Sequence, residues 1–349
     1  MNIKKLASVV DLFCGVGGLS HGFFQEGFPI AAGIDIDEDC RYAYETNNDA
    51  PFVCRDVGLL TRSDIESLYP SSGARILVGC APCQPFSAYN QKNNDPNWRL
   101  LGAFGKLIKE TVPDVISMEN VPRLLNFRGG TIFEDFKNIL EDLEYHIDHG
   151  VLYGPDYGLP QTRSRLVLVA SKLGSISLPK PTHKNGHRTV KDAIGDLPSI
   201  AAGQVYDTDS LHRASGLSKI NLSRIRASKP GGTWRDWDKS LIAKCHTEEA
   251  GKSYSSVYGR MRWDEPSPTI TTQFFGFGNG RFGHPKQDRA LSLREGAILQ
   301  SFPKYYKFVP PGKPVEFKRI GRMIGNAVPV VLGQAIARTI KQHLKEYSQ

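Results

Sequence analysis

Leu6-Ala7-Ser8-Val9-Val10-Asp11-Leu12-Phe13-Cys14-Gly15-Val16-Gly17-Gly18 is the stretch that decides the fold. An apolar run of strand length, Leu6–Phe13, meets a glycine-rich turn, and a helical stretch follows over Leu19–Glu26. A strand, a glycine turn and a helix in that order let a ligand approach the backbone closely. The spacing is Gly-x-Gly-Gly with Ser at position 20, so the dinucleotide fingerprint Gly-x-Gly-x-x-Gly is not met. Ile30–Ile36 reads as a second strand. It carries Asp35, 20 residues after Gly15, where a carboxylate can accept hydrogen bonds from ribose hydroxyls. A third run, Phe52–Val57, carries Asp56, an acceptor suited to an adenine amino group. An acidic pocket lacking a phosphate-binding pattern suits a cationic, phosphate-free nucleoside, and S-adenosylmethionine is such a molecule.

Working outward, Arg75–Val78, Asp114–Met118 and Arg165–Ala170 are further strand-like runs, with a helical segment around Leu100–Glu110. Strands separated by helix-length segments predict an α/β protein with a doubly wound, Rossmann-like sheet, whose chemistry collects at the carboxyl ends of the strands. From Leu173 to about Gly259 the rhythm is lost. That part is rich in Pro, Gly, Ser, Lys and Arg, and reads as a smaller loop-rich domain. Val330–Tyr347 is a final helical stretch, with Ile336, Ile340 and Leu344 at helical spacing.

The 349 residues carry 44 Lys+Arg against 36 Asp+Glu, a formal charge of +8. Met1–Ala170 holds 15 basic and 22 acidic residues, Ser171–Gly259 14 and 8, and Arg260–Gln349 15 and 6. An acidic front half and a basic back half suit a polyanion near the second part; a solvated basic face is the alternative. No stretch approaches the roughly 20 apolar residues of a membrane span, so no membrane partner is expected. Asp11 interrupts the N-terminal run before a signal peptide could develop. The six cysteines form no repeated framework, which fits a reducing cytosolic compartment.

Gly79-Cys80-Ala81-Pro82-Cys83-Gln84-Pro85-Phe86-Ser87 follows the fourth strand. Cys80-x-x-Cys83 could be a redox pair or half a metal site, but no second Cys pair completes a zinc site, and no metal is expected. His246-Thr247-Glu248 matches His-x-Glu of zinc deaminases without the Pro-Cys-x-x-Cys that should follow. A thiolate nucleophile at Cys83, on a loop stiffened by Pro82 and Pro85, is the better reading. Glu119 ends the fifth strand, beside the strand that presents Cys83, and is a plausible acid–base partner. A solvated strand-end residue is the bland alternative. Gln161-Thr162-Arg163-Ser164-Arg165 delivers two guanidinium groups on one side as the sixth strand begins, or is simply a basic strand start.

Taken together, these residues resemble the C5-cytosine DNA methyltransferase family over nearly the whole chain, in the family's order. Asp11–Gly18, Pro82-Cys83-Gln84, Glu119-Asn120-Val121 and Gln161-Thr162-Arg163-Ser164-Arg165 are followed by Arg260–Thr272, Leu293-Arg294-Glu295 with Leu299–Pro303, and Gly325-Asn326-Ala327-Val328-Pro329. The resemblance implies that Cys83 adds to C6 of a flipped cytosine, making C5 nucleophilic toward the methyl group of S-adenosylmethionine. It implies that Glu119 contacts N3 and the exocyclic amino group, and that Arg165 holds O2 with Arg163 close by. Phe13, Gly15, Gly17, Gly18, Asp35, Ile36, Asp56, Val57, Pro82, Leu100, Asn326, Ala327 and Val328 would line the cofactor site. Gln84, Ser87, Arg224, Arg226 and Arg235 would meet DNA.

The implied architecture is discontinuous: 1–172 with 318–349 catalytic, 173–317 a smaller DNA-recognition domain, and target recognition at about 173–259. The implied partner is duplex DNA. A cognate restriction endonuclease would act in the same system without a stable complex, a monomer is the default, and the location is the bacterial cytosol and nucleoid. Three rivals stand beside this reading. The tRNA-methylating branch carries a Cys-Phe-Thr signature that is not found between Ala170 and Arg260; the other two are an inactive DNA-binding module and a nicotinamide dehydrogenase.

Overall fold

The computed structural model describes residues 7–82 and 98–347. The chain forms two compact units: Met1–Tyr157 with Ser164–Thr182 and Ala327–Gln349, and Gly158–Arg163 with His183–Asn326.

In the first unit a seven-stranded sheet is built from β1 (Ala7–Leu12), β2 (Ile30–Asp35), β3 (Phe52–Cys54), β4 (Ala74–Gly79), β5 (Val115–Asn120), β6 (His146–Tyr153) and β7 (Ser164–Ser171). The order is β3-β2-β1-β4-β5-β7-β6, all parallel except β7, which runs antiparallel between β5 and β6. Strand order reverses between β1 and β4, so the crevice outside their carboxyl ends is where such a sheet places a ligand. The first five helices are α1 (Gly18–Gln25), α2 (Arg41–Asn48), α3 (Arg62–Glu66), α4 (Arg99–Thr111) and α5 (Thr131–Asp142). All six residues of β1 and of β5 are buried, the burial expected of central strands covered on both faces. Val10, Leu12, Leu77, Ile116, Met118 and Leu168 join Phe104 of α4 and Phe136 of α5 in one apolar core. The fold class is the one expected from the sequence. The reading missed β6, whose residues are mostly half-buried or exposed and so leave no sustained apolar run.

The second unit contains α6 (Val190–Ile194), a hairpin of β8 (Val205–Tyr206) and β9 (Asp209–Arg213), α7 (Lys219–Ala227), α8 (Lys244–Thr247), α9 (Glu249–Lys252), α10 (Leu293–Leu299) and α11 (Phe317–Asn326). With so little ladder, its loops need other partners for their carbonyls. Buried arginines supply them. Arg260 donates to the carbonyls of Ile225, Ser228, His284 and Gln287, and pairs with Asp288. Arg289, 0% exposed, binds both oxygens of Glu295 at 2.7 Å and the carbonyls of Ile200 and Ala290. Arg294 reaches the Tyr306 carbonyl and both oxygens of Asp209. Burial would push Glu295 up, but the hydrogen bonds and charge of Arg289 outweigh it and hold the carboxyl at about 2. Burial likewise lowers His284, in the same cluster, to about 4.

The last helix, α12 (Val330–Glu346), returns to the first unit and packs along α1. By length and composition alone, Phe317–Glu346 passes for a membrane span, against the expectation that no stretch would. However, 67% of its most apolar window is buried within the protein, as in the core helix of a globular fold.

Candidate active site

The strands β1, β2, β4 and β5 end together, which brings the described residues Phe13, Gly15, Asp35 and Glu119 to the carboxyl edge of the sheet. Leu12 is in register with Ile34 on one side and Gly79 on the other, and Gly79 with Met118. The turn after β1 is left-handed at Gly17 (φ 86), which begins α1 and where a side chain would strike Asn48 and Tyr44. A Cβ at Gly18 would lie 2.2 Å from the Val328 carbonyl oxygen, so only hydrogen lets the start of α1 approach the segment leading into α12. A Cβ at Gly15 would meet nothing within 4 Å, and its N–H donates to Asp35 Oδ2 at 2.9 Å.

Phe13 is half-buried with φ 58. Asp35 Oδ1 accepts from the Asp37 N–H, and burial raises the Asp35 pKa against the pull of those backbone donors. Ile36 stands 69% exposed at the strand end. Asp56 accepts from the Gly58 N–H at 2.8 Å, Val57 is buried, and Leu100, Pro82 and Ala327 are half-buried. Val328 is buried, while Asn326 is exposed at the end of α11 in the second unit. Sequence reading did not single out Leu59, 73% exposed just beyond Asp56. It also passed over the buried chain Asp11–Ser20–Tyr44, in which Ser20 donates to Asp11 at 2.6 Å. Burial pushes the Asp11 carboxyl up to about 7, opposed by the Ser20 hydrogen bonds. Burial also raises the Cys14 thiol.

Three strands meet at Glu119, which is 2% exposed. Arg165 Nε, from the start of β7, lies 2.8 Å from Oε1 as an ion-pair contact whose N–H is not aligned for a hydrogen bond. Oε1 therefore remains a buried acceptor without an aligned donor. Oε2 accepts from Cys80 Sγ at 2.9 Å, at the exit of β4. The neighbouring Asn120 donates to the Ala81 carbonyl at 3.0 Å and accepts from the Val121 N–H. Thus β5 holds the chain one residue before Pro82. Cys83, Gln84 and Ser87 lie outside the described residues.

Arg163 and Arg165 have different partners. Arg163, buried in the second unit, donates to the carbonyls of Ile270 at 3.1 Å and Gly325 at 3.4 Å. The candidate DNA-facing arginines are also engaged. Arg224 binds the Leu241 carbonyl and lies over the Trp237 and Tyr258 rings. Arg226 pairs with Asp288. Arg235 lies over Trp234 and donates to the Lys252 carbonyl. His246 is stacked flat on Trp234 at 4.5 Å.

A family model described as C-5 cytosine-specific DNA methylase matches residues 7–342. The chain is 53% identical to the type II methylase M.HgiDII of Herpetosiphon aurantiacus, over 97% of this chain and 96% of that protein. It is 32% identical to the type II methyltransferase M1.HphI of Haemophilus parahaemolyticus, over 95% and 86%. A crystal structure from E. coli, described as a candidate DNA modification methyltransferase encoded within a prophage, superposes with a TM-score of 0.77. It has 24% identity and covers 97% of this chain and 99% of that one, which speaks for the fold alone.

Proposed function

Because the chain belongs to the C-5 cytosine-specific DNA methylase family and is a DNA cytosine-5 methyltransferase, we propose that it uses S-adenosylmethionine and works through a covalent Cys83–C6 adduct on a cytosine flipped out of duplex DNA. The single observation that carries this is Glu119: a buried carboxylate with one oxygen lacking an aligned donor, beside the strand that runs on to Cys83. A buried carboxylate oxygen without an aligned hydrogen bond is costly until a ligand donor completes it.

The residues present fit the cofactor. The open space at Gly15, the acceptors of Asp35 and Asp56, and the exposed apolar side chain of Ile36 suit a nucleoside with hydroxyl and amino donors. S-adenosylmethionine supplies an electrophilic methyl group. Phe13 and Ile36 would flank the adenine, Asp56 and Val57 its polar edge, Asp35 the ribose, and the glycine loop the methionine end. Pro82, Leu100, Asn326, Ala327 and Val328 would close the remainder.

Cytosine C5 is a weak nucleophile. Addition of the Cys83 thiolate to C6, with a proton taken up at N3, would break the C5–C6 double bond and make C5 nucleophilic toward the methyl group the cofactor would supply, its sulfonium sulfur leaving as a neutral thioether. Glu119 would hold N3 and the exocyclic amino group as charge develops, and Arg165 would hold O2. A base then removes the C5 proton, the double bond re-forms, and Cys83 leaves. C6 is inaccessible in a stacked duplex, so the base must leave the helix.

The DNA-recognition surface would lie within about 173–259, all of it from His183 onward in the second unit. There Arg224, Arg226 and Arg235 would meet DNA, with Gln84 and Ser87 doing so from the loop of Cys83. Arg163, two residues before Arg165, would stand close to the base as a further catalytic residue. The chain would act as a monomer in the bacterial cytosol, protecting DNA against a separately acting restriction endonuclease. The test is single-turnover methyl transfer to duplex DNA by Glu119→Gln. The rate is expected to fall by roughly two orders of magnitude, the usual share of a positioned acid–base group, with S-adenosylmethionine affinity little changed. An unchanged rate removes Glu119 from the mechanism.

A further inference from the structure

Cys80 has no part in the scheme above, yet its thiol is held against the buried carboxylate that does. Its backbone N–H donates to the Leu12 carbonyl at 3.3 Å, which places the residue against β1, and its Sγ donates to Glu119 Oε2 at 2.9 Å. One residue on, the Ala81 carbonyl accepts from Asn120 Nδ2 at 3.0 Å. The exit of β4 is thereby laced to the end of β5 at two successive positions: a side chain on Glu119 and a carbonyl on Asn120. Arg165 lies at the other oxygen of the same carboxylate.

We propose that Cys80 is a positioning residue for methyl transfer: its thiol fixes the Glu119 carboxyl so that Oε1 faces the base, and ties that carboxyl to the chain leading into Cys83. The proposal rests on the assignment of Glu119 made above and adds a residue that acts only through it. A Glu side chain has three rotatable bonds, and the Arg165 contact engages only one of its two oxygens. A donor at Oε2 holds the other, so the carboxyl is in place before the base arrives. The requirement is a short side chain with a polar hydrogen at the strand exit, which Ser can meet and Ala cannot.

The experiment measures single-turnover methyl transfer to duplex DNA, cofactor affinity and thermal midpoint for Cys80→Ala and Cys80→Ser. Cys80→Ala is also made in the Glu119→Gln background. Loss of a hydrogen bond to a charged group corresponds to a rate about 10- to 100-fold lower for Cys80→Ala. S-adenosylmethionine and DNA affinities should stay within about twofold, and Cys80→Ser should recover most of the rate. In the Glu119→Gln background the same change should cost little more, because residues acting as one unit are not additive. If the double variant is too slow to follow, the comparison of Ser with Ala decides alone. A Cys80→Ala rate equal to the parent, a Ser variant as slow as Ala, a full additional loss on Glu119→Gln, or a fall in cofactor affinity that accounts for the rate would each overturn the proposal. An unaffected Glu119→Gln would instead overturn the assignment on which the proposal rests, so the two failures are distinguishable.

Discussion

The two units solve the same problem, pairing buried backbone groups, in opposite ways. In the sheet unit the ladders of β1 to β7 pair the strands with one another, and apolar side chains from β1, β4, β5 and β7 pack with those of α4 and α5 in one core. In the second unit the described strands are two short pieces, and Arg163, Arg260, Arg289 and Arg294 reach into the interior to satisfy loop carbonyls. A guanidinium carries five donors in a fixed fork, so one side chain can hold several loops at once. The difference changes the meaning of the basic charge beyond residue 170. Part of it is scaffold and never faces a phosphate. Arg226 and Arg235, by contrast, stand at the surface.

Removing one internal brace tests this contrast most severely. Arg289→Met leaves Glu295 buried without its partner, and breaking such a pair costs about 3–5 kcal/mol. Thermal denaturation should show the second unit unfolding early while S-adenosylmethionine still binds. An unchanged melting profile would mean that the arginines are not its scaffold.

A smaller effect separates the units by pH. Asp11 titrates at about 7 in the fold against an ordinary 3.8. The folded chain therefore binds this proton more tightly than the unfolded chain. The stability it contributes is complete below about pH 3.8 and is lost as pH rises through about 7. Asp11→Asn should remove that loss, so its thermal midpoint relative to the parent rises by a few degrees between pH 4 and pH 8. A constant difference across that range would contradict the raised pKa.

The smallest effect sharpens the division among the arginines themselves. Arg226 and Asp288 pair with 65% and 40% of their side chains exposed, so Arg226→Ala should change stability by less than about 1 kcal/mol. If Arg226 meets a phosphate, the same change should weaken binding to all duplex sequences alike and flatten the salt dependence by about one ion. An unaltered slope would make it an ordinary surface residue.

How far the sequence was legible follows the same line. The central strands were readable because burial on both faces demands unbroken apolar runs such as Val9-Val10 and Ile76-Leu77-Val78. The edge strand β6 was not, since His146, Asp148 and Gly150 obey no such demand. In the second unit the hairpin β8–β9 is too short for periodicity to mark. Arginines there look alike in sequence whether they brace buried carbonyls, as Arg260 does, or form an exposed ion pair, as Arg226 does. At the site, Asp35 and Glu119 could be picked out by their places at strand ends. Neither the donation from Cys80 to Glu119 nor the separate partners of Arg163 and Arg165 could, because each depends on which strands become neighbours.

We propose that the chemistry lies at the carboxyl edge of the sheet and runs through Cys83. Incorporation of tritiated methyl groups into duplex DNA by Cys83→Ser, alongside a cofactor-binding titration, tests it most directly. No detectable transfer is expected, with S-adenosylmethionine affinity within about twofold of the parent, since a nucleophile acts on the base and not on cofactor binding. Robust methylation by that variant would contradict it.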